Sequence, residues 1–223
     1  MRKYYEAYDE RYKTVHQKNL RWMGYEPSDI VYQTVCKYGI SKDDAVLEIG
    51  CGEGRDAVYL LENGYNLLAT DVSPEAVNYC KSQYKDFADR FDLLDAVSGK
   101  LDEKFDYIYS VAVIHMLVPD EDRKAFYSFI KEHLTENGIA LICTMGDGEM
   151  ERSTDISIAF DLGERVCEGE TVLVAETSCR IVTAQTFEKE LKDADFEIIE
   201  QGFTSVENHF PVMMYGVVKI TKQ

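Results

Sequence analysis

A glycine-rich turn between two acidic residues is the part of this chain whose spacing most clearly indicates chemistry. Glu48 lies at the end of an apolar run, glycines follow at alternate positions, and Asp71 closes the next apolar run. The glycines are Gly50, Gly52 and Gly54. Glycines let backbone N–H groups approach a ligand closely where a helix begins. An acid such as Asp71 can accept both hydroxyls of a ribose, and Glu48 can pair with an ammonium group. The pattern predicts a nucleotide-like ligand.

His115 is the first candidate for a general base, because it follows a strand-like run and the ordinary pKa of imidazole lies near working pH. The alternative is a half-buried histidine bonded to a loop carbonyl. His209, in the sequence NHFP, is a second candidate, whereas His16 and His133 are expected on helix surfaces. The chain has no Ser/His/Asp set with diagnostic spacing, and its cysteines share no spacing with histidines, so no metal site is expected.

The elements that must position these residues alternate between strand and helix. Apolar runs predict strands at 45–49, 66–70, 91–94, 105–111 and 138–145, and a closing pair at 196–203 and 212–220. Amphipathic patterns predict helices at 29–38, 55–63, 74–84, 119–134 and 183–194. Ser28 and Ser73 are placed to cap two of these helices, and Gly138 is expected to end a third. Alternating strands and helices favour a parallel sheet, and the close-set final strands favour an antiparallel hairpin at its edge.

Two segments fall outside this alternation. Residues 1–44 are rich in aromatics, and Tyr5, Tyr8 and Tyr12 share one helix face, either to pack that helix on the domain or to line a pocket as a lid. Residues 145–182 lose periodicity and are expected to form a substrate lid. This lid is rich in charge: Asp147, Glu149, Glu151, Asp155, Asp161, Glu164, Arg152, Arg165 and Arg180. If several of its acids line the pocket, the substrate is cationic or amine-bearing.

Composition excludes some classes of partner. The formal charge of −17 repels phosphate backbones, so neither nucleic acid nor an anionic membrane is an expected partner. No stretch reaches the roughly 18 apolar residues of a membrane span. Six cysteines without paired spacing indicate reduced thiols and a cytoplasmic location. A length of 223 residues predicts one domain and does not define an oligomeric state.

Two stretches carry a resemblance to a known superfamily. VLEIGCGEGRDAVYLLENGYNLLATDVSPEAV and FDYIYSVAVIHML resemble the cofactor-binding motifs of class I S-adenosylmethionine-dependent methyltransferases. Together with Trp22, Gly24, Pro27 and Ser28, the first stretch is similar to a bacterial small-molecule branch that includes tellurite- and thiol-methylating enzymes. The resemblance implies a three-layer Rossmann-like α/β sandwich with a seven-stranded, mostly parallel sheet, an N-terminal helical lid and an insertion after the fifth strand.

The same resemblance implies site roles and a reaction. The turn from Glu48 through Cys51 to Gly54 would hold the methionine part of S-adenosylmethionine, and Asp71 would bind the ribose. The remaining implied cofactor contacts are Val72, Asp95 and Ala96 near the adenine, Val111 beneath the sulfonium, and Trp22. Asp92 is the alternative to Asp95. The reaction would be in-line methyl transfer to an N, S or O atom of a small molecule, leaving S-adenosylhomocysteine.

Two other functions stay open at the level of sequence. Gly52, Gly54 and Ala57 fit G-x-G-x-x-A, which is compatible with an NAD(P)-dependent oxidoreductase. Glu48 and the paired final strands oppose that interpretation, since a nicotinamide nucleotide has no ammonium group. The second alternative is a non-catalytic domain that binds S-adenosylmethionine and acts as a partner or sensor.

Overall fold

A seven-stranded sheet forms the centre of the computed structural model, which describes residues 2–206 and 210–221. In chain order its strands are β1 (Val46–Ile49), β2 (Leu67–Asp71), β3 (Phe91–Leu93), β4 (Phe105–Val111) and β5 (Leu134–Met145), followed after an interruption by β10 (Phe196–Val206) and β11 (Phe210–Ile220). Their order across the sheet is β10-β11-β5-β4-β1-β2-β3. The first five run parallel, and β11 is antiparallel to both β5 and β10. The predicted fold class is confirmed.

Helices cover both faces of the sheet, as a parallel sheet requires. They are α1 (Ala7–Gln17), α2 (Asp29–Tyr38), α3 (Arg55–Glu62), α4 (Pro74–Gln83), α5 (Asp120–His133) and α6 (Ala184–Asp193). Apolar side chains of α2, α3 and α4 form one core layer, and those of α5 and α6 form the other. All of β1 is buried, because it lies in the middle of the sheet between these layers.

The helix ends agree with the sequence in some places and not in others. Ser73 caps α4, accepting a bond from the N–H of Ala76 at 3.1 Å, and Thr183 caps α6. Ser28 precedes α2 without capping it, because its hydroxyl donates to the buried carboxylate of Asp56 instead, at 2.9 Å. Gly138 does not end α5. The helix passes directly into β5 at Leu134, so Gly138 lies inside the strand.

The segment between β5 and α6 is ordered into two small antiparallel pairs. These pairs are β6 (Arg152–Ser153) with β9 (Arg180–Ile181), and β7 (Leu162–Cys167) with β8 (Glu170–Ala175). Helix α1 packs between β8 and α4, so the N-terminal segment and the 145–182 segment meet above the sheet. No helix in the described residues is long and apolar enough to cross a membrane.

Candidate functional site

A cavity of about 450 Å³ lies beyond the carboxyl ends of β1, β2 and β4, roofed by α1 and the 145–182 segment. Nearly every residue implied as a cofactor contact lines it, and so does His115. The lining members of that set are Trp22, Glu48, Gly50, Cys51, Gly52, Asp71, Val72, Asp95, Ala96 and Val111. Gly54 is the exception. It lies behind the turn, where a Cβ would stand 3.1 Å from the sulfur of Cys80.

The glycine turn needs glycine for both conformation and space. Gly50 and Gly52 have φ angles of 79° and 53°, in the left-handed region that residues with a Cβ rarely adopt. A Cβ on Gly50 would lie 2.2 Å from a methyl of Val113, and one on Gly52 would lie 2.7 Å from the hydroxyl of Tyr12. The turn is therefore closed from above by α1 and from the side by the loop after β4.

Asp71 ends β2 with its carboxylate held by backbone N–H groups. Gly52 donates to Oδ2 and Ser73 donates to Oδ1, each at 2.8 Å. Burial raises the pKa of Asp71, and these two N–H groups oppose that rise. A carboxylate has about four acceptor positions, and the hydroxyls of a ribose would use the capacity that these backbone bonds leave.

Glu48 is 3% exposed, at the end of β1. The hydroxyl of Tyr109 donates to its Oε2 at 3.0 Å. Burial, followed by the nearby carboxylate of Asp56, raises the pKa of Glu48 well above its usual value. The charge of Arg55 opposes this rise without preventing it, so a ligand ammonium group bonded directly to the carboxylate would suit the site.

Asp95, rather than Asp92, lies at the cavity. Its carboxylate accepts bonds from Lys3 and Ser98 and from the phenol of Tyr5. Burial alone would raise the pKa of Asp95, but the bonds from Lys3, the Val97 N–H and Ser98 lower it below the usual value. Asp92 is exposed on β3, and its carboxylate accepts a bond from the neighbouring N–H of Leu93. Of the two aspartates that the sequence left open, Asp95 lines the cavity and Asp92 does not.

Glu53 is a central residue of the site that no local sequence pattern indicates. Its carboxylate, within the glycine turn, accepts bonds from the N–H groups of Trp22 and Met23, both at 2.8 Å. His16 of α1 lies 3.0 Å from the same carboxylate and 2.9 Å from that of Glu75. The expectation that His16 lies on a helix surface is wrong, since this carboxylate pair draws its ring into the fold.

His133 is also not a surface residue. Its ring is 4% exposed, its Nδ1 lies 2.7 Å from the carbonyl of Phe129, and it stacks on the ring of Phe129 at 4.0 Å. The residue joins α5 to the segment before β4 through Leu101, whose N–H lies 3.1 Å from Nε2. His133 is therefore structural. His209 lies outside the described residues.

His115 lies in a short 3-10 turn after β4, and its ring forms part of the cavity wall. Burial, and then the charge of Arg123, lowers the pKa of His115 to about 4. Its Nδ1 is buried and has no hydrogen-bond partner within the part of the chain that the structure describes. Ala112, just before this turn, has a φ of 61°, a strained conformation of the kind found at functional sites. The imidazole is neutral at neutral pH.

The roof of the cavity contradicts the idea of an acidic lid. The six acids named from the sequence between Asp147 and Glu164 are exposed, and none belongs to the described cavity wall. The charged residues of the 145–182 segment that line the cavity are Arg152, Arg165 and Glu176. Tyr5, Tyr8 and Tyr12 of the N-terminal segment also line it, so the aromatic face faces the pocket as well as packing the helix.

Comparison with known proteins agrees with this geometry. Residues 47–140 match the family model described as a methyltransferase domain. Residues 47–140 are therefore similar to a methyltransferase domain. This match favours the methyltransferase interpretation of the glycine turn over the dinucleotide one. Within the described residues, no group of three or more His, Cys, Asp or Glu side chains is arranged to hold a metal ion.

The chain is also similar, over part of its length, to a bacterial protein. It is 27% identical over 99 residues to the probable S-adenosyl-L-methionine-dependent methyltransferase TehB of Haemophilus influenzae. That match covers 44% of this chain and 34% of TehB, so the chain spans about a third of that relative.

Solved structures show the same fold over almost the whole chain. An S-adenosylmethionine-dependent methyltransferase from Clostridium acetobutylicum has a TM-score of 0.68 at 17% identity, covering 98% of this chain and 99% of its own. The 1,6-didemethyltoxoflavin-N1-methyltransferase of Burkholderia thailandensis, solved with its acceptor and S-adenosylhomocysteine, has a TM-score of 0.69 at 16% identity, covering 94% and 85%. At these identities the likeness shows the fold alone.

Proposed function

We propose that this chain transfers a methyl group from S-adenosylmethionine to a small-molecule acceptor. The observation that carries the proposal is the placement of Glu48 and Asp71 in one cavity, on either side of a turn that only glycines can form. Asp71 retains acceptor capacity for a ribose, and Glu48 is a buried carboxyl without a cationic hydrogen-bond partner in the described residues. These groups fit the amino acid and ribose parts of the cofactor. Asp95 and Ala96 would lie at its adenine.

The chemistry asks little of the protein beyond binding and alignment. The bound cofactor supplies an electrophilic methyl on a sulfonium. The chain orients both reactants, and it excludes water by closing α1 and the 145–182 segment over the cavity. Positioning of this kind lowers a barrier by up to about 7–11 kcal/mol in ideal cases. The cavity of about 450 Å³ lies within the range of small-molecule sites.

His115 is our candidate for the proton acceptor. A neutral imidazole accepts a hydrogen bond, and His115 is held neutral by burial and by Arg123. Its position in the turn after β4, lining the same cavity as Val111, supports a role where the acceptor atom would meet the cofactor. There it would orient an O–H, N–H or S–H group and take its proton as the methyl is transferred.

The setting we propose is the cytoplasm, with neither nucleic acid nor membrane as a partner. The net charge of −17 disfavours both polyanions. All six cysteines are unpaired, which suits a reducing compartment.

Binding of S-adenosylhomocysteine tests the proposal directly. We expect it to raise the thermal unfolding temperature, and NADH to leave that temperature unchanged. Asp71→Asn should weaken S-adenosylhomocysteine about tenfold or more by removing charge-assisted bonds worth about 1.5–3 kcal/mol each. Asp92→Asn, the same change on the neighbouring strand, should not. Stabilisation by NADH alone would overturn the proposal, and intact cofactor binding without transfer to any acceptor would indicate a binding module.

A further inference from the structure

The cavity is acidic where it meets the glycine turn and basic at its roof. Glu48, Asp71 and Asp95 line the first part. At the roof the charged wall consists of three arginines, Arg11, Arg152 and Arg165, and one carboxylate, Glu176. In a chain with a net charge of −17, a wall with two more positive than negative charges stands out.

Arg11 supplies a buried positive charge to this wall. It is 5% exposed, and it donates to the carbonyls of Ala175 and Glu176 and to the hydroxyl of Thr177. Its guanidinium also lies over the ring of Trp22, 4.4 Å from the centroid. Among the described residues it has no ion pair with a carboxylate. The carboxylate of Glu176 stabilises this charge from a distance, but the hydrogen-bond partners of Arg11 are all neutral, and a buried guanidinium of this kind attracts an anion.

Arg165 is built into the same wall through Glu176. The two side chains form a charge-assisted hydrogen bond, and Gly163 provides the room for it. A Cβ on Gly163 would lie 1.9 Å from the Glu176 carboxylate, so the pair depends on glycine there. Glu176 balances one of the three arginines and leaves two unbalanced.

Arg152 is the third arginine of the wall, and the strand that pairs with it packs on the turn that contains His115. Its partner in register is Ile181 of that strand, β9. The lid is fastened to the same turn by the hydroxyl of Ser178, which donates to the carbonyl of Met116 at 2.7 Å. Arg152 has no ion pair with a carboxylate in residues 2–206 and 210–221.

We propose that the methyl acceptor is a small organic anion, whose carboxylate or comparable oxyanion is bound by the arginine roof formed by Arg11, Arg152 and Arg165. The planar guanidinium fork matches a carboxylate or a phosphate with two parallel hydrogen bonds. An acceptor held in this way at the roof would present its nucleophilic atom toward His115 and the cofactor. The inference rests on the proposed methyl transfer and narrows its substrate class.

The test compares acids with their neutral partners on the protein saturated with S-adenosylhomocysteine. The probes are benzoate against benzamide, 4-hydroxybenzoate against 4-hydroxybenzamide, and phenyl phosphate against phenol, titrated by ligand-observed NMR. Aromatic probes suit the rings of Tyr8 and Phe210 in the cavity wall. We expect at least one acid to bind about tenfold or more tightly than its neutral partner.

Variants locate the effect. Arg152→Gln should remove most of that preference, and Arg165→Gln should reduce it. Arg90→Gln, the same change at an exposed arginine outside the cavity, should leave it intact. No preference for any acid, or a preference that survives both cavity variants, would overturn the inference. Failure of S-adenosylhomocysteine to bind would instead count against the proposed methyl transfer. The same titrations on the free protein would then still decide whether the cavity prefers an anionic ligand.

Discussion

Glu53 binds the main chain of Trp22, whose backbone N–H donates to the Glu53 carboxylate at 2.8 Å across 31 positions of sequence. The other carboxylate oxygen takes the N–H of Met23 at the same distance. Glu53 lies between Gly52 and Gly54, and its side chain is completely buried. The segment that precedes α2 is thus joined directly to the glycine turn, so a loss of order in one should also loosen the other.

Replacing Glu53 with glutamine should lower the free energy of unfolding by about 1–3 kcal/mol, because the new NH2 group cannot accept an N–H and leaves a buried donor unsatisfied. Urea unfolding would measure the change, and hydrogen exchange should show faster exchange at Trp22 or Met23. Glu62→Gln, at the exposed end of α3, is the matched control and should change little. Equal stability of the two variants would contradict this role.

His16 of α1 should make the free energy of unfolding depend on pH. Burial lowers its pKa, but the bonds to Glu53 and Glu75 outweigh burial and raise it above 6.5 overall. Protonated His16 therefore favours the folded state. Its contribution is fully present below about pH 6.5 and is lost as the pH rises through the higher folded pKa. Unfolding free energies measured from pH 6 to 9 should fall more for the native chain than for His16→Gln, and parallel curves would exclude the effect.

Local patterns in the sequence determine the strands and most helix ends. β4 spans the predicted 105–111, and Ser73 with Pro74 begins α4 as expected, because alternation, caps and proline act within a few residues. The prediction that Gly138 ends α5 is wrong for a related reason. A glycine after a helix normally marks its end, but here the chain already pairs with β4 from Leu134.

Only part of the candidate site can be predicted from the sequence, because some of its contacts join distant parts of the chain. The glycine turn and Asp71 belong to one contiguous motif, so a single stretch of sequence predicts both. Glu53 meets residues 30 and 31 positions away, and Arg11 meets residues more than 160 positions away. His16 looked like a surface residue because the carboxylates that bury it come from other elements. The charge of the lid was visible, but which of its charges face the cavity depends on tertiary packing.

Gly52→Ala should weaken binding of S-adenosylhomocysteine for two separable reasons. A φ angle of 53° strains the backbone of any residue that has a Cβ, and the new methyl would lie 2.7 Å from the Tyr12 hydroxyl. Adding Tyr12→Phe removes the clashing oxygen but not the backbone strain, so the double variant should recover part of the loss. Gly39→Ala is the control for strain alone, because its φ is 68° and no atom lies within 4 Å of the added Cβ. Calorimetric titration would measure the affinities, and no recovery in the double variant would argue against the contact.

His115→Asn should reduce kcat by about 100-fold or more if the imidazole accepts the acceptor's proton, while S-adenosylhomocysteine binds as before.

The same variant should change the stability of the protein in acid. Because burial and Arg123 lower the folded pKa of His115 to about 4, its stabilising contribution is present above pH 6.5 and is lost as the pH falls toward 4. His115→Asn should therefore lose less stability on acidification than the native chain. His16→Gln provides the comparison, since its own effect has the opposite sign and lies at higher pH. If the two chains lost the same unfolding free energy on acidification, His115 would not be held neutral by its surroundings. An unchanged kcat would show that His115 takes no part in the reaction.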